Sequence, residues 1–438
     1  MIALPLAASM ILVLLCLGIM AAGAARLFVV LRGVAHMRRE GSRAAAFDRN
    51  ILLTSDLVPD VSILAVAPDA SENSIRFVRQ LVKLYFGRFE VVLVLDGASP
   101  EERAIWSREF HLRKATRPES GGLKTGAVRG LYLSAEPIPL LVVDKEAGGE
   151  ADGLNAGLNF VDSPAVATVD WDAEFTEDAL LRLIEPMIDD PQNTVAVGAT
   201  APPSAGRGLA GRIYRLECLR NWLGRCAGFS SWNAFLPAPG SFLLFRRDAV
   251  AEAGGFRSSR GGCALEMMLH LHGLALARKQ PYTIRLISGA IARPTPVTTF
   301  ADLRRRMARD QMEVARALRI RGRMAFAAAK VGDVAIPGLY CSRLILPLLE
   351  MAFAALAAVA AAEGWIDLPD VALLAAAMAG FGILVSMTMV LLEPAAPGME
   401  LAPAQLAGLF FCTIWENLGY RQFRNVRLIG SFFRGLRA

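Results

Sequence analysis

The feature that most constrains this chain is an uncharged apolar run at its start. It extends from Ile2 to Ala25 and continues past Arg26 to Val30. A helix of this length crosses the hydrocarbon core of a bilayer, which is about 30 Å thick. A cleaved signal peptide is the alternative, but no Lys or Arg precedes the run, and the run is longer than a signal-peptide core. We therefore predict an N-terminal transmembrane helix.

Arginines follow the first apolar run and predict its orientation. They are Arg32, Arg38, Arg39, Arg43 and Arg49. Basic residues that flank a span stay on the cytoplasmic side of the membrane. We therefore expect the chain to enter the cytoplasm after this span, in a membrane of the bacterial plasma (inner) type.

The C-terminal part of the chain is apolar again and predicts further spans. Leu344–Ala362 and Val371–Leu392 are long enough to cross, whereas Leu401–Leu418 carries Glu416 near its end. The tail from Arg421 to Arg437 holds five arginines and belongs inside. The first two stretches are therefore expected to cross, and the third to lie in the interface or re-enter.

Between these ends the chain has the hydropathy of a globular protein, and short apolar runs alternate with amphipathic patterns. Strands are predicted at Val61–Val66, Phe89–Leu95, Pro139–Val143 and Ala165–Val169, and helices at Ser74–Tyr85, Glu101–Phe110 and Glu177–Met187. This alternation predicts a Rossmann-like α/β domain with a mostly parallel sheet covered by helices. In such sheets ligands bind at the carboxyl ends of the strands.

Composition narrows the class of protein further. The chain of 438 residues is 54% hydrophobic and 20% charged, which excludes a disordered chain and disfavours a wholly soluble one. The net charge of +6 is explained by basic cytoplasmic flanks, and without an aromatic–basic stripe we expect no nucleic-acid partner. Six scattered cysteines without a C-x-x-C pair indicate reduced, packing residues, and four histidines argue against a His-rich metal site.

Two aspartates separated by one residue, Asp170 and Asp172, follow the predicted strand Ala165–Val169. This position places both carboxylates at the carboxyl edge of the sheet. Mg²⁺ is usually held by one or two carboxylates together with substrate phosphates, so the pair predicts a metal site for a nucleotide-diphosphate sugar. The alternative is a pair of loop aspartates that cap the following helix, because a lone D-x-D often occurs by chance.

Two other segments carry candidate donor-binding residues. The glycine-rich run Gly148–Leu158 places Asp152 and Asn155 one helical turn apart, and its paired glycines allow backbone to approach a ligand closely. Asp96 ends the predicted strand Phe89–Leu95 and could accept hydrogen bonds from a base or ribose. A glycine loop that caps a helix and an ordinary Asp-Gly turn are the plain alternatives.

Glu266 opens a predicted apolar helix that follows two glycine-containing runs, Gly240–Asp248 and Ala253–Phe256. A carboxylate at the start of a helix beside a ligand could act as a general base. The alternative is a glutamate that only interacts favourably with the positive end of the helix dipole. His270 and His272 are two residues apart and do not share a helix face, so we interpret them as packing or surface residues.

A basic amphipathic pattern covers Leu303–Leu318. Its apolar positions recur at helical spacing between Arg304, Arg305, Arg306 and Arg309. Arginine stems can cover apolar surface while their heads meet lipid phosphates, so the pattern favours a helix on the membrane surface. A helix packed on the sheet of the domain has the same pattern, and the sequence leaves both open.

In this order and spacing, the motifs resemble those of the membrane-integrated, processive family 2 glycosyltransferases, whose members make cellulose, poly-N-acetylglucosamine and hyaluronan. The resemblance rests on the D-x-D, on the G-G-x-A-D-x-L-N-A-G run at 148–157, on G-x-F-x-x-F-R-R at 240–247, and on E-N-x-G-Y-R-Q at 416–422. It implies a GT-A fold, a nucleotide-sugar donor, Mg²⁺ or Mn²⁺, and an inverting displacement. The acceptor it implies is a glycan or a lipid.

The resemblance also implies roles and exposes departures. Asp170 and Asp172 would hold the cation and diphosphate, Asp96 and Asp152 with Asn155 the nucleoside end, and Glu266 would be the base. Arg309 would balance diphosphate charge, as the residue that the segment 306–310 keeps of the family's Q-x-x-R-W. Departures from the family pattern are Leu95, Glu150, Leu265 and Asp310, which replace an Asp, a Lys, a Glu and a Trp.

Two functions from different classes therefore stay open. The first is an active hexosyltransferase at the cytoplasmic membrane face, and the second is a catalytically degenerate relative that acts as a membrane scaffold or partner subunit. The expected organisation is a transmembrane helix (1–32), a GT-A-like domain (56–300), interfacial helices (301–338), C-terminal transmembrane helices (339–420) and a basic cytoplasmic tail (421–438).

Overall fold

The structure is a computed structural model of the full chain. It describes residues 3–45, 52, 55, 58–204, 206, 208–257, 262–287, 289, 291–326, 331–395 and 402–437. Arg49, one of the arginines used to orient the first span, lies outside the described residues.

A nine-stranded mixed sheet forms the centre of the α/β domain, with the order β10-β8-β9-β6-β1-β2-β5-β4-β3. The four central strands β6-β1-β2-β5 are parallel, whereas β9, β4 and β3 run antiparallel to their neighbours. The strands are Val61–Val66 (β1), Phe89–Asp96 (β2), Leu112–Ala115 (β3), Val128–Ser134 (β4), Leu140–Lys145 (β5), Ala165–Val169 (β6), Ala173–Phe175 (β7), Thr194–Ala199 (β8), Phe242–Arg246 (β9), Thr283–Leu286 (β10) and Ala292–Pro294 (β11). Strands β7 and β11 form a separate antiparallel pair.

Helices cover both faces of the sheet and continue into the C-terminal part of the chain. They are Ala3–Ala45 (α1), Glu72–Leu81 (α2), Pro100–Glu109 (α3), Glu150–Leu158 (α4), Ala179–Asp189 (α5), Gly208–Asn221 (α6), Arg247–Glu252 (α7), Cys263–Ala277 (α8), Phe300–Phe326 (α9), Ile336–Tyr340 (α10), Leu346–Ala362 (α11), Leu368–Leu392 (α12), Pro403–Trp415 (α13) and Arg421–Arg437 (α14). A π-helical turn, Glu416–Tyr420, joins α13 to α14 without a break in the helix.

The predicted α/β domain is confirmed, and the four predicted strands are β1, β2, β5 and β6. The predicted helices also form, with ends that differ by a few residues; the first, for example, ends at Leu81 rather than at Tyr85. The central strands are apolar on both faces because two separate buried clusters cover them, one on each side of the sheet. The six cysteines are all free, as the scattered pattern predicted.

Among the described residues, three helices are long and apolar enough to cross a membrane: Pro5–Ser42 within α1, Asp333–Ala362 ending in α11, and Leu368–Leu392. Helix α1 packs against both α11 and α12. Helix α13 has 13 residues, fewer than the about 20 that a span needs, and it packs on α6 of the α/β domain.

The basic helix α9 packs along α8 and α14. Its apolar residues Leu303, Val314 and Leu318 are buried against protein. A helix on the membrane surface would need its apolar face open to lipid, but these residues of α9 are covered by protein. Packing on the domain therefore accounts for the amphipathic pattern. The placement of 301–338 at the interface stays a prediction.

A buried ion network, here called the junction network, joins the α/β domain to the C-terminal helices. Glu416 is fully buried and accepts hydrogen bonds from both terminal nitrogens of Arg220 at 2.5 and 2.6 Å. Arg424 donates to the same carboxylate at 2.8 Å and also pairs with Glu217. Burial alone raises the pKa of Glu217, but Arg424 and Arg220 outweigh it and hold that pKa well below its usual range. The network therefore keeps Glu217 charged.

We predict that Glu416→Gln destabilises the protein by about 3–5 kcal/mol, because it leaves two buried guanidiniums with too little negative charge. Thermal unfolding in detergent should show a fall in midpoint on the order of 10 °C. The control is Glu363→Gln, an exposed glutamate at the end of α11. Equal midpoints for the two variants would contradict the prediction.

Candidate functional site

A cavity of about 760 Å³ opens at the carboxyl ends of the central parallel strands. Residues after β1, β2 and β6 line it on one side, and residues of α6, α8 and α9 line it on the other. Among the predicted site residues, those that line it are Asp96, Asp170, Asp172 and Arg309. This is the edge of the sheet at which ligands bind in folds of this kind.

Asp170 follows β6 directly and is held by backbone groups of the loop before β9. The amides of Gly240 and Ser241 donate to its carboxylate at 2.7 and 3.2 Å. Gly240 has φ +80°, and a Cβ there would lie 2.3 Å from the nitrogen of Pro294, so only glycine fits. Burial, followed by the charges of Asp172 and Glu150, raises the pKa of Asp170 to about 7.

Asp172 lies two residues further on, at the mouth of the same cavity. Arg306 of α9 forms an ion pair with it at 3.1 Å and donates to the Thr295 carbonyl at 3.0 Å. Trp171, between the two aspartates, packs against Phe77 with ring centroids 4.5 Å apart. Sequence analysis missed Arg306 because only the folded chain brings α9 to the end of β6.

Asp96 and Asp152 are held together by Lys145, a residue that sequence analysis did not single out. The fully buried Lys145 ammonium lies 2.6 Å from Asp96 and 2.5 Å from Asp152. Burial lowers the pKa of Lys145, but hydrogen bonds to the two aspartates outweigh this and raise it. Asp96 also accepts from the amides of Gly148 and Gly149, at 2.9 and 2.7 Å, and so fixes the glycine loop at the cavity edge.

Asn155 has a different place from the one predicted. Its side chain is buried and forms a pair of 2.8 Å hydrogen bonds with the backbone of Phe256, donating to the carbonyl and accepting from the amide. It is not among the described residues that line the cavity. Its contacts therefore tie α4 to the loop after α7 and give no sign of donor binding.

The start of α8 contacts the cavity, but not through Glu266. The lining residues there are Cys263, Ala264 and Leu265, whereas Glu266 is buried and does not belong to the described lining. His272 packs as expected, with its ring nitrogens near the Tyr282 hydroxyl and the Phe235 carbonyl.

Glu150 of α4 and Glu313 of α9 are among the other carboxylates that line the cavity. Burial raises the pKa of Glu150 despite a hydrogen bond with Cys263. Burial, followed by the charges of Asp310, Asp170 and Glu150, raises the pKa of Glu313 to about 8. The described lining of the cavity has seven carboxylates and five arginines. The raised pKa values indicate that ionising all of these carboxylates together is unfavourable unless a cation is bound.

The segment 306–310 has a divided role. Arg309 is exposed and lines the cavity. Asp310, which replaces the family's tryptophan, is buried and pairs with Arg225 at 3.1 Å and Arg343 at 2.7 Å. This position therefore joins α9 to the helices on either side of it.

No group of three His, Cys, Asp or Glu side chains in the described residues is arranged to hold a metal ion by itself. The pair Asp170 and Asp172 nevertheless fits Mg²⁺ or Mn²⁺, because these ions take one or two carboxylates and complete their shell with water and substrate phosphates. Two oxygen donors at the cavity mouth, in a site with surplus negative charge, have the chemistry that such a cation needs.

Residues 70–253 match the family model of glycosyl transferase family 2. The chain carries a glycosyl transferase family 2 domain. No curated protein sequence matches the chain. The match includes β2, the glycine loop, the D-x-D pair and β9. Asp96, Asp170 and Asp172, which line the cavity, lie within it.

The fold of the glycosyl transferase family 2 domain is GT-A-like. The mannosyltransferase PcManGT from Pyrobaculum calidifontis, solved with GDP-Man and Mn²⁺, superposes with a TM-score of 0.52 at 15% identity, covering 92% of this chain and 99% of that one. Glucosyl-3-phosphoglycerate synthase from Mycobacterium tuberculosis, solved with Mn²⁺ and UDP, gives 0.39 at 12% identity, covering 63% of this chain and 82% of that one. TarS 1–349 from S. aureus gives 0.37 at 13% identity, covering 86% and 92%.

We predict that Glu313→Gln stabilises the protein increasingly as pH rises. A folded-state pKa near 8 lies above the unfolded value of about 4.3, so ionisation of Glu313 destabilises the fold progressively between about pH 5 and pH 8. Glutamine removes this penalty. Because the Glu313 side chain is partly exposed, solvent screening reduces this penalty. We therefore expect Glu313→Gln to raise the free energy of unfolding by about 1 kcal/mol at pH 8, or the unfolding midpoint by about 2–4 °C.

The measurement is thermal unfolding of wild type and variant from pH 5 to pH 9. Glu72→Gln, on the exposed face of α2, is the control and should shift the midpoint by the same small amount throughout. A Glu313→Gln gain that is constant with pH would rule out the proposed cause.

Proposed function

We propose that this protein transfers a sugar from a nucleotide-diphosphate sugar, with inversion and with Mg²⁺ or Mn²⁺, to a glycan or lipid acceptor at the cytoplasmic membrane face. The observation that carries the proposal is the pair Asp170 and Asp172, which follows the central strand β6 and lines the 760 Å³ cavity. The family 2 match and the GT-A-like fold support the same reaction class.

The donor would lie with its diphosphate between the cation and the arginines. Asp170 and Asp172 would hold the cation, and the diphosphate oxygens would complete its shell. Arg309 is exposed in the cavity and free to reach the diphosphate, and Arg306 would exchange its ion pair with Asp172 for a shared one. Charge that develops on the leaving diphosphate would thereby be stabilised.

The nucleoside end would lie over the glycine loop. Asp96 lines the cavity, whereas Asp152 stays paired with Lys145 and would act by fixing the loop. The loop amides of Gly148 and Gly149 already donate to Asp96, so the floor under the nucleoside is preformed. A preformed floor lowers the cost of ordering the donor.

Membrane attachment follows from the three apolar helices. The junction network joins the α/β domain to the C-terminal helices at one end of these apolar helices. The 760 Å³ cavity would therefore lie close to the bilayer. The arginines after α1's apolar part favour the cytoplasmic side for this end. A membrane acceptor and a cytoplasmic nucleotide sugar would then meet at one site.

A catalytically degenerate scaffold is the second candidate. Glu150 favours it, because this carboxylate lines the cavity where the family has a lysine and adds to the charge around Asp170. Negative charge repels the diphosphate of a donor unless a cation neutralises it. Cation-dependent donor binding therefore separates the two functions.

We predict that Asp172→Asn abolishes cation-dependent donor binding, because a neutral amide does not balance the cation's charge. Calorimetry on the purified protein with Mn²⁺ should give a dissociation constant for a UDP- or GDP-sugar within about 1 μM to 1 mM for wild type. The control is Asp248→Asn, an exposed aspartate at the start of α7. Wild type that binds none of the nucleotide sugars with Mn²⁺ or Mg²⁺ would favour the scaffold.

The predicted base is tested separately from the donor. Should Glu266 be the base, Glu266→Gln would retain donor binding and lose about 10²–10⁴-fold in turnover. Glu266→Asp, which restores the family's residue type at this position, is the conservative partner variant. Turnover by Glu266→Gln within twofold of wild type would remove Glu266 from the reaction and agree with its place outside the cavity lining.

A further inference from the structure

A second, smaller cavity of about 80 Å³ lies where α1, α6, α11, α12 and α14 meet. We call it the arginine cavity, because five arginines line it: Arg26, Arg220, Arg343, Arg421 and Arg424. Its volume holds several water molecules or one compact polar group. Apolar residues of the membrane helices, among them Ile19 and Phe381, form the rest of its wall.

The arginine cavity lies at one end of the three apolar helices. Arg26 ends the uncharged part of α1, Glu350 lies in the first turns of α11, and Ser386 lies in the second half of α12. At the opposite end, Leu12 of α1 packs in one cluster with Ala360 of α11. The arginines therefore lie where the helices join the α/β domain, which the proposed topology places at the cytoplasmic surface of the bilayer.

Positive charge in this cavity exceeds what its carboxylates neutralise. Glu217 and Glu416 pair with Arg220 and Arg424, and Glu350 pairs with Arg421. Two arginines then stay without a carboxylate of their own.

Those two arginines are Arg26 and Arg343. Among the described residues, Arg26 makes no ion pair, and Arg343 shares Asp310 with Arg225. Unbalanced guanidiniums at a membrane boundary are costly unless an anion accompanies them. The Nε of Arg424 is also buried without a hydrogen-bond acceptor in the described structure. The surplus charge and the missing acceptor both point to an anionic ligand.

The arginine cavity adjoins the donor cavity. Glu217, Asn221, Arg343 and Leu428 line both. An anion held among these arginines would therefore lie next to the donor cavity. Apolar residues of the membrane helices on one side and polar residues shared with the donor cavity on the other suit a ligand with a lipid chain and a charged head.

We propose that the arginine cavity binds the phosphate group of a lipid, and that this lipid phosphate is the sugar acceptor. The proposal rests on the proposed function and specifies its acceptor. Guanidinium groups match phosphate geometry through paired N–H donors, which is why arginine is preferred for phosphate recognition.

The reaction then balances without proton transfer. One oxygen of the lipid phosphate dianion forms a bond to C1 of the donor sugar. The bond between C1 and the diphosphate oxygen breaks, and its electron pair leaves with the nucleoside diphosphate, which gains one negative charge as the lipid phosphate loses one. A phosphate oxygen is already ionised at pH 7, since the second pKa of a phosphate monoester is about 6.

An ionised acceptor accounts for the position of the predicted base. A hydroxyl acceptor needs a base at the attacking oxygen, but Glu266 does not line the donor cavity and Leu265 does. A phosphate acceptor needs positive charge to hold it and no base. The residues around the arginine cavity supply that charge.

The test uses the purified full-length protein in a neutral detergent and dodecyl phosphate as the probe, with binding measured by calorimetry. Arg26→Gln should weaken dodecyl phosphate about tenfold or more, because it removes a charge-assisted contact. Arg26→Lys, which keeps the charge, should weaken it less. Arg39→Gln, an exposed arginine on the same helix, should leave it unchanged.

Each outcome has one meaning. Binding of inorganic phosphate as tight as that of dodecyl phosphate would replace the lipid by a free anion and overturn the acceptor. Equal binding by wild type and Arg26→Gln, or no binding of dodecyl phosphate by wild type, would overturn the site. Donor binding with Mn²⁺ is measured on the same samples. No dodecyl phosphate binding with intact donor binding would overturn the acceptor site and leave the proposed function standing. Dodecyl phosphate binding without donor binding would overturn the proposed function, and with it the acceptor role, and would leave only a phosphate-binding site.

Discussion

The rest of the structure depends on the ion pairs that join α6 of the α/β domain to the C-terminal helices. Arg220 reaches Glu416 in a fully buried, two-pronged contact, and Arg424 completes it. Burying such charges is costly, so the network is poor evidence for high stability, yet each partner becomes indispensable to the others. Its geometry sets how α9 and α14 close over the sheet edge, and thereby sets the walls of both cavities.

The predictable part of this protein is local. Strand β6 and the aspartates after it are consecutive in sequence, so the edge at which Asp170 and Asp172 lie follows from the strand alone. The same holds for Asp96, which ends β2, and for the apolar helices, whose lengths are set by the bilayer. In each case the hydrophobic pattern of the segment, or the position of the residue at the end of a strand, is enough to predict where it lies.

What sequence analysis missed depends on contacts between distant segments. Lys145 faces Asp96 and Asp152 because β5 lies beside β2, and Arg306 meets Asp172 only after α9 packs across the sheet edge. The phase of α8 places Leu265 rather than Glu266 on the cavity, and one residue is enough to change the face of a helix. The amphipathic pattern of α9 could not distinguish lipid from protein, because either surface buries an apolar stripe.

Charge decides how the two cavities can work together. The donor cavity gathers Asp170, Glu150 and Glu313. Burial raises the pKa of all three, and the charges of neighbouring carboxylates add to the shifts of Asp170 and Glu313. The arginine cavity next to it gathers guanidiniums in excess. Under the proposed function, a divalent cation would offset the negative charge of the first cavity, and an anionic acceptor would offset the positive charge of the second. Because opposite charges attract, a ligand bound in one cavity would change the electrostatic potential in the other. The proposed function therefore gives this separation of charge a role, because it would bring a metal-bound diphosphate and an anion to neighbouring sites.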